Sequence, residues 1–231
     1  QSVVLPMASR LQDDPERLRR AYCVMIGGLA LVLLPVFSLF AVAAQPLVLL
    51  LYGDRWNAAV PLLTACAVAV PFYIVATNTG TFLWATGAAG REALSQLMLA
   101  GILLAGFAVL GGWPLATAIW IVPAVHFLRA AATYLMLSRR IGLSHRRTLR
   151  ALFGGIVLGL VVVVGWELTG RVPEASELSA SPLRLAFVGG LAVLAALVAR
   201  GSLIDPELRL VIRGRLPSNR AGQIARRVLG L

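Results

Sequence analysis

The sequence predicts an all-α fold, a polytopic transmembrane helical bundle of six spans. Three observations predict it. The chain of 231 residues is 59% hydrophobic and only 13% charged, whereas soluble domains run near half apolar and a quarter charged. Its apolar residues fall in long runs, and a run of about 20 apolar residues matches the hydrocarbon thickness of a bilayer. All 21 basic residues are arginine, and they crowd into alternate loops.

The runs lie near 22–44, 57–80, 93–111, 113–137, 150–167 and 183–199. In lipid no water is present to pair backbone N–H and C=O groups, so runs of this length must be helical. The opening stretch to Met7 is apolar but too short to span, and reads as the end of a helix that begins upstream. Seventeen arginines fall in the loops 8–21, 81–92 and 138–149, at Arg150 directly after the last of these, and in the tail 200–231. Three, Arg55, Arg171 and Arg184, fall in the other set, and Arg129 lies inside a span. The positive-inside bias makes the arginine-rich side cytoplasmic. This predicts a cytoplasmic-membrane protein whose connectors 45–56, 112 and 168–182 are external and whose basic tail 200–231 is cytoplasmic.

Local signals refine that map. Asp14-Pro15-Glu16 has the pattern of a helix N-cap with proline in the first turn, and Asp205-Pro206-Glu207 repeats it in the tail. In the second span Asn57, Pro61, Thr64, Val68, Pro71, Val75 and Asn78 recur at alternating spacings of four and three. That stripe is expected to face the bundle interior, with prolines that bend the helix. The paired glycines, with Gly101 and Gly106, read as close helix-packing points.

A net charge of +11 could signal nucleic acid, but the arginines lie beside spans, so no nucleic-acid partner is expected. Cys23 and Cys66 sit in different spans without metal or disulfide spacing. No phosphate-binding glycine loop, nucleophile elbow or metal cluster is present, so neither a cofactor nor an enzyme activity is expected. The acidic residues read as loop residues, apart from Glu167 at a span edge.

The fourth span carries the candidate substrate-binding residues. A charge in lipid is costly and faces a cavity or a partner. Arg129 is such a charge; His126 and Thr133 lie on its helix face by i,i+3 and i,i+4 spacing, and Thr117, Trp120 and Pro123 extend the stripe outward. Arg129 either attracts a phosphorylated lipid head group, or snorkels to the inner headgroups or binds carbonyls of a neighbouring helix. Trp84 and Tyr73 supply further aromatic lining. Arg129→Ala is expected to abolish the protein's activity without changing protein level, if Arg129 meets a ligand.

Three stretches carry a resemblance: VVLPMASRLQDDPERLRRAY, PLVLLLYGDRWNAAVPLL and LSRRIGLSHRRTLRAL. They are similar to segments of the Wzx-type O-antigen and polysaccharide flippases, within the multidrug/oligosaccharidyl-lipid/polysaccharide exporter superfamily. The resemblance implies a bacterial inner-membrane protein, the C-terminal lobe of a two-lobed exporter with alternating access. Its cargo would be an undecaprenyl-pyrophosphate-linked glycan. Membrane lipids, and glycosyltransferases and a glycan polymerase of the same assembly route, would be its partners. Three other readings compete. Export of a cationic cargo by ion antiport would want a membrane carboxylate, which the spans as read do not hold. A membrane glycan polymerase or ligase would want a large external loop. A non-transporting scaffold would use the arginine-rich loops for docking.

Overall fold

The structure is a computed structural model and describes residues 4–170, 188–190 and 193. All regular structure among them is helical. In order come α1 (Val4–Arg10), α2 (Pro15–Val42), α3 (Ala44–Tyr52), a 3-10 segment (Asp54–Ala59), α4 (Val60–Ala85), α5 (Ala89–Val109), α6 (Leu115–Ala118), α7 (Ile121–Ile141) and α8 (His145–Gly170). Five stretches are long and apolar enough to cross a membrane. They correspond to the first five predicted spans. The sixth, 183–199, lies outside the described residues except for 188–190 and 193, as do the connector beyond 170 and the tail.

The bounds shift from those predicted, each for a local reason. The helix of the first span starts at Pro15, because Asp14 accepts the Arg17 backbone N–H at 3.0 Å. That cap satisfies one of the unpaired N–H groups of the first turn. The predicted external loop 45–56 is largely helical, in α3 and the 3-10 segment. The fourth span is broken, with α6 and α7 separated at Ile119 and Trp120. Pro123 falls in the first turn of α7, where its missing N–H leaves no bond unmade. The fifth span extends from His145 to Gly170.

Alternate helix ends converge, which confirms the up-and-down order of the described spans. Arg19 near the start of α2 donates to the Ile141 carbonyl at the end of α7. Arg140 of α7 donates to the Thr86 carbonyl just past α4. Arg147 of α8 pairs with Glu16 of α2 at 2.9 Å. The arginine-rich ends therefore form one layer. At the other end Tyr52, Trp56, Trp113 and Trp120 are exposed, as suits rings that sit at a headgroup boundary.

The core is built from small contacts. α2 packs most extensively on α8, and α4 on α7, with α2 against α4 joining the pairs. Tyr22 of α2 meets Phe82 edge-to-face at 5.3 Å and hydrogen-bonds Thr79 at 3.1 Å. On α8, Ala151, Gly155 and Gly159 recur every fourth residue. A Cβ at Gly155 would overlap the Ala30 carbonyl, and one at Gly27 would come within 3.0 Å of the Ala151 oxygen. Small residues here let the backbones touch, the usual basis of helix association in lipid. Gly101, by contrast, has open space around it.

The α4 stripe expected to face inward is only partly buried. Pro71 is buried, Asn57 is exposed, and Pro61, Thr64, Val68, Val75 and Asn78 are intermediate. The deepest positions include Ala65, Ala67, Ala69, Ala76 and Gly80. The reason is that α4 contacts α1, α2, α5 and α7. A helix surrounded in this way has no single inner face.

Candidate functional site

The polar centre of the described bundle lies where α4, α5 and α7 meet. Arg129 on α7 is buried, and its Nη2 donates to Oε1 of Glu92 on α5 at 2.7 Å. Both side chains are almost wholly excluded from solvent, 5% and 3% exposed respectively, so this is a true interior ion pair. The expectation that the acidic residues sit in loops is corrected here. Helix α5 begins at Ala89, not 93, so Glu92 falls in its first turn and inside the packed structure. The partial positive charge of a helix N-terminus favours a carboxylate at that position.

Three donor groups, through four hydrogen bonds, and a gap hold the carboxylate. Trp84 Nε1 at the end of α4 donates to Oε2 at 3.1 Å. Gln96, one turn along α5, donates its Nε2 to both oxygens, at 2.8 and 3.0 Å. Arg129 supplies the charge-assisted bond. Gly80 supplies space, since a Cβ there would stand 2.9 Å from Glu92 Cγ and Oε1. Thr133, fully buried one turn below Arg129, donates its Oγ1 to the Arg129 carbonyl at 2.9 Å and to the Ala130 carbonyl at 3.1 Å. That hydroxyl is spent on the backbone and props the helix beneath the arginine.

The predicted residues divide into two groups. Arg129 and Thr133 lie together in the centre. His126 is one turn from Arg129, and its ring meets Tyr73 of α4 edge-on at 5.6 Å. Trp120 does not join them. It precedes α7 at the break after α6, and both it and Thr117 are exposed. The outward stripe assumed one continuous helix, and the break removes that periodicity. Trp84 joins the centre through Glu92, and Tyr73 through His126. Two buried atoms, Arg129 Nε and His126 Nδ1, have no hydrogen-bond partner among the described residues. Buried polar atoms are nearly always paired, and these two bare nitrogens belong to residues one turn apart on α7. No cluster of metal-ligating side chains occurs among the described residues.

Sequence reasoning missed Glu92, Gln96 and Gly80. The available signal was Arg129 itself: a cation placed in lipid requires an anion within reach, and Glu92 borders a predicted span.

Comparison with known proteins places this bundle in a context. Residues 1–61 match the model of a family described as "Polysaccharide biosynthesis protein". An "Uncharacterized membrane protein in cps region" of Klebsiella pneumoniae is 30% identical over 83 residues, which is 36% of this chain and 17% of that protein. The chain thus aligns with well under two thirds of that relative's length. No solved structure matches. The chain is a multi-pass helical membrane protein whose first 61 residues are similar to a polysaccharide biosynthesis family, in agreement with the resemblance carried by its motifs.

Proposed function

We propose that this chain forms part of a flippase that moves a lipid-linked saccharide from the inner to the outer leaflet of the cytoplasmic membrane. The observation that carries the reading is a buried polar junction of Glu92, Arg129 and His126 inside the membrane-spanning part of a chain that matches a polysaccharide-biosynthesis family. A sugar-pyrophosphate head group cannot cross hydrocarbon unaided. A cleft lined by fixed donors, exposed alternately to each side, lowers that barrier. Arg129 Nε and His126 Nδ1 would meet the head group, and an undecaprenyl-pyrophosphate-linked glycan is the cargo the reading implies. Glycosyltransferases and a glycan polymerase would work beside it.

The direct test uses full-length protein in liposomes loaded with undecaprenyl-pyrophosphate-linked oligosaccharide in one leaflet. Transfer of the saccharide to lectin on the opposite side is the expected result. A deletion strain that still delivers the lipid-linked saccharide to the outer leaflet would count against it. Glu92 supplies the membrane carboxylate that ion antiport requires, so ion-coupled export is a second reading. Against it, Arg129 and two neutral donors already occupy that carboxylate.

The orientation has its own test. After Cys23 and Cys66 are replaced by Ala, Gly112→Cys should react with a membrane-impermeant maleimide in intact cells. Ser144→Cys should react only after permeabilisation. The reverse pattern would turn the bundle over and place the arginine layer outside.

A further inference from the structure

The cytoplasmic-type end of the α5/α7 junction carries an arrangement that the flippase reading does not use. Arg91 at the start of α5 and Arg139 and Arg140 at the end of α7 line one open hollow of about 410 Å³, with Ala132, Leu135 and Met136 as its floor. Arg140 is tied to the Thr86 carbonyl. The side chains of Arg91 and Arg139 have no hydrogen bond or ion pair among the described residues, and both residues are exposed. Among the described residues no acidic side chain lines the hollow. The adjacent Glu92 carboxylate is turned away, toward Arg129.

A second cleft, of about 140 Å³, continues from the hollow along the same two helices, sharing Ala132 and Met136. Its walls include Leu94, Met98, Ile102 and Leu128; Ser95 and Arg129 also border it, but the surface it presents is almost wholly apolar. Of these walls Leu94, Met98 and Leu128 are themselves exposed. Helix α5 is also the least buried of the five spans.

We propose that this continuous groove binds one anionic phospholipid. Its phosphate would sit among Arg91, Arg139 and Arg140, and one acyl chain would lie along the cleft between α5 and α7. Charge complementarity selects the head: three like charges around one hollow repel, and a phosphate relieves that repulsion while accepting several guanidinium hydrogen bonds. The apolar extension selects a chain-bearing ligand over free phosphate. The exposure of Leu94, Met98 and Leu128 along its walls selects a lipid that enters from the bilayer side. The proposal stands apart from the flippase reading and survives its failure.

The test is native mass spectrometry of the purified full-length protein in detergent with dioleoyl phosphatidylglycerol, dioleoyl phosphatidylcholine, undecaprenyl phosphate or inorganic phosphate. Retention of one phosphatidylglycerol in preference to phosphatidylcholine is expected. Arg91→Gln with Arg139→Gln should weaken it by about tenfold or more, from roughly 1 kcal/mol per arginine near a headgroup. Arg140 is left intact because it holds Thr86. Ala132→Phe fills the groove without changing charge and should also lose the lipid, which keeps the test available if the arginine variant does not accumulate. Equal retention of phosphatidylcholine, unchanged binding in both variants, or displacement by inorganic phosphate or by undecaprenyl phosphate at matched concentration would overturn the proposal.

Discussion

Arg129→Ala is expected to lower the amount of folded protein several-fold. The sequence alone suggested lost export at constant protein level, and the Glu92 pairing reverses that expectation. Truncating Arg129 leaves a carboxylate buried without its counter-charge, and breaking one partner of a buried pair costs about 3–5 kcal/mol. Against a total stability of roughly 5–15 kcal/mol, such a loss removes a large share of the margin that keeps the protein folded. Glu92→Gln should be milder, because the amide keeps an acceptor for Arg129. The informative variant is Glu92→Gln combined with Arg129→Gln, which removes both charges and retains hydrogen-bonding capacity. Detergent-extracted protein should then return to near the wild-type level by fluorescence-detected size exclusion. If Arg129 also contacts cargo, export stays lost in this double variant even though the protein is present. Wild-type export in the double variant would restrict the pair to a structural role. Unchanged accumulation of Arg129→Ala alone would show that the pair does not hold α5 to α7.

Gly155→Leu is the second large effect, and it acts on a different interface. The site faces the Ala30 carbonyl across the α2–α8 contact, with backbone rather than a movable side chain as the obstacle. The helices must separate to admit any Cβ, and separation strips contacts along the Gly27–Ala151 and Gly159–Leu34 lines together. Overpacking a tight site costs about 1–3 kcal/mol, and a leucine here should exceed that range. The expected readout is a clear drop in the apparent melting temperature of the solubilised protein. Gly101→Ala is the matched control: it meets nothing within 4 Å and gains about 1 kcal/mol of helix propensity. Equal melting behaviour of Gly155→Leu and wild type would mean that α2 and α8 do not touch as described.

The bundle was legible because bilayer thickness imposes a length that any reader of hydropathy can see. The five described spans fell where the apolar runs put them, and the alternation of arginine anticipated which helix ends would converge. The junction was only half legible. The i,i+4 spacing of Arg129 and Thr133 announced a shared helix face, and both side chains are buried. Glu92 was hidden because Arg91-Glu92 looks like a charged turn in one dimension. Its partner lies 37 residues away in sequence, and no periodicity links them. Trp120 failed in the opposite sense: a clean helical spacing was real in sequence but was cut by the break between α6 and α7. The space beside Gly80 is a property of three helices at once, so no single segment could reveal it.

The Glu92–Arg129 contact has an electrical consequence. Carrying one elementary charge through a membrane potential takes about 2.3 kcal/mol per 100 mV. An isolated guanidinium on α7 would make every shift of that helix along the bilayer normal sensitive to voltage. Because the carboxylate travels beside it, the two contributions cancel, and α5 and α7 can shift together without working against the field. A dipole remains, but its moment is short. Whatever voltage dependence the assembled protein displays must then enter through its cargo or through charges elsewhere.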